Sequence, residues 1–148
     1  MKIRRADMSD APFIYKLEEE GEYLGGIRSM LYEEILYNDM AHYFVLTEDN
    51  QKIGYIGLWL TRPNAEMINI VVQKEHRRKG YGKALVQQAI AFCEDENIDS
   101  LTLEVNVNNT PAVKFYETFG FEVVTTRPNY YRNGDDAYLM AKKIGGNS

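Results

Sequence analysis

With 148 residues, 45% of them hydrophobic and 26% charged, the chain is long enough for one domain with a sizeable core and short for two. A net charge of −5 argues against broad attraction to nucleic acid, so no direct nucleic-acid partner is expected. A lone cysteine excludes an intramolecular disulfide, the basic residues 1–5 lead into no apolar signal segment, and no run approaches a membrane span; a cytoplasmic protein without membrane contact is expected.

In chain order, residues 2–6 can pair as a first strand. Ser9 or Asp10 can cap a helix carrying Ala11, Phe13, Ile14 and Leu17, with Pro12 tolerated in its first turn. Glu18, Glu19 and Glu20 read as its solvated end. Glycines at 21, 25 and 26 mark a loop, and residues 27–37 read as a second helix with Ile27, Met30, Leu31 and Ile35 on its apolar side. Residues 43–47 and 53–60 are strand-like, joined by a hairpin turn at Glu48-Asp49-Asn50-Gln51. Arg62-Pro63-Asn64 breaks the second of these, and 66–72 resumes as a strand. A helix running to about residue 96 follows, with Leu85, Val86, Ala89, Ile90 and Cys93 as its buried stripe. On that stripe Cys93 reads as a structural thiol rather than a nucleophile.

Residues 101–107 alternate Leu, Val with Thr, Glu and Asn and so predict a strand. A short helix from about Thr110, with Pro111 near its start and Gly120 ending it, precedes strands over 121–126 and 137–142. The order is mixed α/β, with hairpins early and β-α-β units late, and too irregular for a doubly wound fold. Trp59 and Tyr55 read as sheet packing. His42 and His76 are the only histidines, which gives no zinc constellation and no expected metal.

The feature that points to chemistry is Arg77-Arg78-Lys79-Gly80-Tyr81-Gly82-Lys83-Ala84, directly behind Met67-Ile68-Asn69-Ile70-Val71-Val72. Gly80 and Gly82 let a ligand approach the backbone, and the helix they open presents unpaired N–H groups and the positive end of its macrodipole. That combination suits a phosphate chain. Residues 74–83 hold five Lys or Arg and one acid, so a concentrated positive spot sits in an otherwise acidic chain. A small polyanion fits it better than a polymer does; a solvated basic turn is the plainer alternative. A Walker-type loop is excluded because Arg77 stands where its first glycine belongs and Ala84 where Ser or Thr belongs. A dinucleotide fingerprint is excluded by Leu85 in place of its third glycine.

What remains, Arg/Gln-x-x-Gly-x-Gly/Ala after a strand, resembles the acyl-coenzyme A loop of the GNAT N-acetyltransferases. The later half is similar to that family's next region: Leu103-Glu104-Val105, Asn109, Ala112, Phe115-Tyr116-Glu117 and Gly120-Phe121. Within the family the chain resembles the ribosomal-protein alanine N-acetyltransferases, which modify the N-terminal amine of a small-subunit ribosomal protein. Glu104 and Tyr116 twelve residues apart, Arg127-Pro128-Asn129-Tyr130-Tyr131 and Asp136-Ala137 carry that likeness. The resemblance implies one acetyltransferase domain over 1–148, acetyl-CoA as co-substrate and an amine acceptor. It also implies a central, mostly antiparallel twisted sheet of about six or seven strands with about four helices. The assembly is expected to be a monomer or homodimer.

The resemblance also assigns roles. An amine attacks a thioester only when neutral, and its free pKa is about 8 for an α-amine and about 10 for lysine. Glu104 is then the implied base, directly or through a water; by alternation alone it would be a solvent-facing strand residue beside Thr102 and Asn106. Tyr116 is the implied acid for the departing thiolate. Packing with the apolar face of Ala112, Phe115 and Phe119 is its other reading; it lies about 100° around the helix from Phe115, at that face's edge, where a polar tip can reach a cleft. Ile70, Val71 and Val72 would hold the acyl arm through their backbone, Asn109 the coenzyme, and Arg77, Arg78, Lys79, Gly80, Tyr81, Gly82 and Lys83 its phosphates. Tyr130 and Tyr131 read equally as a wall of the acceptor site or as an apolar plug.

One segment departs from the pattern. Those alanine acetyltransferases carry an aromatic-Pro-Trp-Ser element between the first two helices, whereas this chain reads Glu22-Tyr23-Leu24-Gly25-Gly26-Ile27-Arg28. Three functions therefore stay open: acetylation of a protein N-terminus, acetylation of a small amine such as a polyamine or amino sugar, and non-catalytic acetyl-CoA binding.

Overall fold

A computed structural model describes residues 1–20 and 38–145 of the chain. The helix expected over 27–37 and the segment 22–28 lie outside the described residues. Seven strands and three α-helices are described: β1 Lys2–Arg5, α1 Ala11–Glu20, β2 Ala41–Glu48, β3 Gln51–Thr61, β4 Asn64–Val72, α2 Tyr81–Asp95, β5 Ser100–Asn106, α3 Thr110–Glu117, β6 Glu122–Arg127 and β7 Ala137–Lys143. They fall into two compact units, one drawn from Met1–Leu60 with Met67–Phe92 and the other from Thr61–Glu66 with Cys93–Ser148.

In the first unit the strand order is β1-β2-β3-β4. Strand β2 pairs antiparallel with both β1 and β3. The β2–β3 turn falls on Asp49 and Asn50, whose φ angles of 51° and 64° are those of a mirror-image turn matched to strand twist. Its buried cluster joins Ala11, Ile14 and Leu17 of α1 to Tyr43, Val45, Tyr55 and Val71, with Trp59 packed against it. The start of α1 differs from expectation. A short 3₁₀ turn over Met8–Asp10 precedes the helix, so the cap moves upstream to Asp7, which accepts from Ser9 N while Asp10 accepts from Asp7 N. The Asp10 side chain is fully buried, under the Arg4 fork at 2.8 and 2.9 Å and Lys52 Nζ at 2.8 Å.

Glu18 also departs from its expected solvated position. One turn on from Ile14, it shares the buried face of α1 and is only 6% exposed. The Tyr55 hydroxyl donates to it at 2.8 Å and accepts from Asn69 Nδ2 at 2.9 Å. Burial pushes the Glu18 carboxyl above its ordinary value, opposed by hydrogen bonding from Tyr55 and then Asn69.

In the second unit the order is β4-β5-β7-β6, with β4 residues 64–66 running parallel to 100–102 of β5 and the β5–β7 and β6–β7 pairs antiparallel. Parallel neighbours need a long crossover, and α2 lies in the connection from β4 to β5. Leu101, Leu103 and Val105 are buried while Thr102, Glu104 and Asn106 alternate onto the more open face. Helix α3 begins at Asn109, whose Oδ1 accepts from Ala112 N at 3.2 Å, and the chain leaves it through Gly120 at φ 93°. The Cys93 thiol is buried and pushed up to about 11, chiefly by desolvation.

Candidate active site

The first unit holds the basic loop. Gln73 N closes back on Ile53 O at 2.9 Å, a 3₁₀ turn over Lys74–His76 redirects the chain, and Arg77 Nε returns to Val72 O at 3.2 Å. Arg78 and Gly80 both take left-handed backbone, at φ 64° and 84°. The first helical bond of α2 runs from Ala84 N to Gly80 O at 3.1 Å, so the amides of Tyr81, Gly82 and Lys83 have no acceptor within the helix. A Cβ placed on Gly80 would meet nothing within 4 Å, which leaves the backbone there open to a ligand. Arg77, Arg78, Lys79 and Lys83 are exposed. An amide-lined helix start with four exposed cations within residues 77–83 is chemically fitted to a pyrophosphate. Tyr81 instead turns its hydroxyl to Glu48 Oε2 at 3.2 Å.

Along β4, the Ile70 amide donates to Asn69 Oδ1 at 2.9 Å, and the Val71 side chain is buried. Gly54 of β3 is the glycine this strand needs, because a Cβ there would fall 2.6 Å from Val71 O.

The second unit holds the carboxylate. Glu104 projects from β5 with its side chain 15% exposed, and Arg127 Nε from β6 lies 2.9 Å from its Oε2. Tyr130 stands in the β6–β7 connection, where the Glu104 charge reaches its phenol. That connection is built by its acids. Asp136 accepts from Asn129 N at 2.9 Å, which holds Asn129 at φ 51° immediately before the tyrosines, while Asp136 O accepts from Val107 N. Asp135 takes Asn106 Nδ2 at 2.8 Å. Tyr130 and Tyr131 stand edge to face at 5.0 Å. Desolvation, then the Glu104 charge, raises the Tyr130 phenol; desolvation, then Tyr130, takes Tyr131 up to about 12. Tyr116 on α3 packs its ring edgewise against Phe115 and Phe121.

The Acetyltransferase (GNAT) family model matches residues 6–121. The chain belongs to the GNAT acetyltransferase family. A Bacillus subtilis protein provisionally named ribosomal protein bS18-alanine N-acetyltransferase is 33% identical over 93% of this chain and 92% of its own. An N-alpha-acetyltransferase of Sulfurisphaera tokodaii is 32% identical over 97% and 93%. The crystal structure of the ribosomal-protein-S18-alanine N-acetyltransferase from Escherichia coli superposes with a TM-score of 0.90 at 27% identity, covering 99% of this chain and 96% of that one. The mixed α/β, mostly antiparallel architecture of this GNAT acetyltransferase is thus that of its relatives, and the chain is an N-acetyltransferase.

Two groups around Glu104 escape a reading by motif. Arg127 stands inside the Arg-Pro-Asn-Tyr-Tyr segment, but only the β5–β7 and β6–β7 pairings together bring its guanidinium to Glu104. Glu66 lies in β4, opposite Thr102 of β5, and its carboxyl is raised first by desolvation and next by the Glu104 charge, with Arg127 opposing. The available signal was one carboxylate in an otherwise uncharged strand, Asn64-Ala65-Glu66-Met67-Ile68-Asn69-Ile70-Val71-Val72. No helix among the described residues is long and apolar enough to cross a membrane.

Proposed function

We propose that this GNAT acetyltransferase transfers the acetyl group of acetyl-CoA to a primary amine by direct attack in a ternary complex. The acceptor is a protein N-terminal α-amine, of the ribosomal-protein alanine type named in its relatives. The observation that carries the reading is Glu104, a largely enclosed carboxylate held in place by Arg127 rather than waving in solvent. The whole of 1–148 serves this one activity. A lone buried thiol suits the cytoplasm as its location.

Acetyl-CoA, when bound, supplies an activated acetyl thioester. The Tyr81–Lys83 amides with Arg77, Arg78, Lys79 and Gly80 bind its pyrophosphate, and the backbone of Ile70, Val71 and Val72 orients the acyl arm. Asn109, whose Oδ1 is spent on capping α3, offers its Nδ2 to the coenzyme. Glu104 takes the proton of the incoming ammonium, directly or through a water, so that a neutral nitrogen attacks. As the C–N bond forms and the C–S bond breaks, the Tyr116 hydroxyl gives its proton to the sulfur, and the second proton lost by the nitrogen passes through solvent to restore the phenol. Tyr130 and Tyr131 wall the acceptor side.

The Glu22–Arg28 segment, without the Pro-Trp of the alanine enzymes, favours a second reading in which the acceptor is a small amine such as a polyamine. Either acceptor needs the same two side chains. Glu104→Gln and Tyr116→Phe are each expected to lower kcat by roughly 10²-fold or more at pH 7, with the acetyl-CoA KM little changed. Wild-type turnover in both variants would refute the base and acid roles, and coenzyme binding without turnover on any amine would leave only a binding domain.

A further inference from the structure

We propose that Glu18, Tyr55 and Asn69 are positioning residues of the coenzyme site, joined in one hydrogen-bond chain that holds the outer edge of β4 ready to pair with the acyl arm of acetyl-CoA. The role rests on reading Ile70, Val71 and Val72 as the stretch that orients that arm.

The chain starts on α1 and ends on the backbone of β4. Glu18 and Tyr55 are 6% and 0% exposed, and Asn69 is half-buried. The Tyr55 hydroxyl donates to Glu18 Oε1 at 2.8 Å and accepts from Asn69 Nδ2 at 2.9 Å, while Asn69 Oδ1 accepts from Ile70 N at 2.9 Å. Each link fixes the next. A tyrosine hydroxyl has a single proton, and Glu18 takes it. Only a donor can then approach the phenol oxygen from β4, so the Asn69 amide turns its nitrogen there and its oxygen to the Ile70 N–H. A buried carboxylate on α1 thus dictates which way a side chain on β4 faces its own backbone.

The edges of β4 show what the last bond is for. Strands β3 and β4 are hydrogen-bonded neighbours, and Gln73 N, just past β4, bonds back to Ile53 O of β3. Backbone groups alternate between the two edges of a strand, so Val71 also faces β3 while Ile70 and Val72 face the other edge. On that edge β4 pairs with β5 over residues 64–66. Further along, side chains take over: Asn69 Oδ1 accepts the Ile70 N–H, and Arg77 Nε donates to Val72 O. A strand edge is a template for an extended ligand that carries amides, as the acyl arm does. Holding that edge in place before the ligand arrives lowers the ordering cost of binding. The Asn69 oxygen also keeps the Ile70 N–H satisfied until a carbonyl of the arm takes its place.

The test uses the full chain, with Tyr55→Phe deleting the middle oxygen and Asn69→Ala deleting the last link; thermal unfolding checks the fold of each. Both are expected to raise the acetyl-CoA KM, and the calorimetric Kd for coenzyme A, about five- to tenfold, with the acceptor KM within about twofold. Because the residues form one chain, the double variant is expected to lose little more than Asn69→Ala alone. Glu18→Gln still accepts from Tyr55 and is expected to recover most of the acetyl-CoA KM that Glu18→Leu loses. Without turnover, ¹⁵N-detected amide exchange of the ligand-free protein is expected to show Ile70 N–H exchanging on the order of tenfold faster in Tyr55→Phe, with the amides of β2 unchanged. A purely structural role would speed exchange throughout the unit and would not separate the two KM values. An active wild type matched by Tyr55→Phe and Asn69→Ala in acetyl-CoA KM, or an equal rise in both KM values, overturns this proposal and leaves the acetyltransferase reading standing. A wild type that binds no coenzyme A overturns that reading and this proposal with it. Should Tyr55→Phe fail to fold, Asn69→Ala decides by the same two KM values.

Discussion

Replacing Asp10 by Ala tests whether the N-terminal strand and α1 are held together by one buried carboxylate. Its side chain is fully buried and meets Arg4 twice, Lys52 once and the Asp7 amide once. Losing the cap to Asp7 N–H costs about 1 kcal/mol. The cation bonds would each be worth about 1.5–3 kcal/mol if enclosed. Arg4 and Lys52 are 43% and 33% exposed, so water recovers much of that, and each cation's share falls to roughly 0.5–1 kcal/mol. The expected loss is therefore about 2–3 kcal/mol at pH 7, read from urea unfolding with unchanged m-value. The sign with pH follows from Arg4, foremost, and then Lys52 and the Asp7 amide holding the Asp10 carboxyl well below the usual carboxylate range. A depressed folded-state acid stabilises above its unfolded value of about 3.9 and loses that contribution as pH falls toward the folded one. The difference between wild type and variant should thus shrink between pH 7 and pH 3. A loss under about 0.5 kcal/mol at pH 7, or one of equal size at pH 3, would mean that the ionised carboxylate is not what joins the two elements.

Gly80→Ala should cost about 1 kcal/mol of stability from its left-handed backbone alone, since its Cβ meets no neighbour; chemical denaturation showing more than about 3 kcal/mol would mean a collision the geometry does not contain. Cys93 should resist iodoacetamide at pH 8 in the folded protein and react promptly in urea, because its thiol is buried and raised to about 11; rapid labelling of the native chain, followed by mass, would contradict that placement.

Local physics made much of this fold legible. Asp49-Asn50 marked a turn because Asn and Asp tolerate positive φ, and Leu101 to Asn106 marked a half-buried strand by strict alternation. The glycine loop stood out because its glycines and cations sit in eight consecutive residues. What stayed hidden depends on partners distant in sequence. Glu18 reads as a solvated acid until Tyr55, thirty-seven residues on, is seen to hold it. Asp10 reads as a helix cap until Arg4 and Lys52 claim its carboxylate and Asp7 takes over the capping. Glu66 and Arg127 gain meaning only through strand register, which no local pattern specifies. The base role proposed for Glu104 rests on family likeness, because alternation alone assigns it to an ordinary strand face.

The most direct measurement is coenzyme A release from acetyl-CoA with a peptide bearing a free N-terminal Ala, beside the same peptide with a blocked α-amine and an internal lysine, and beside a polyamine. Fast release with the free α-amine and little with the blocked peptide is the expected result. Release with the polyamine alone would contradict the protein N-terminus as acceptor, and release with none would contradict amine acetylation itself.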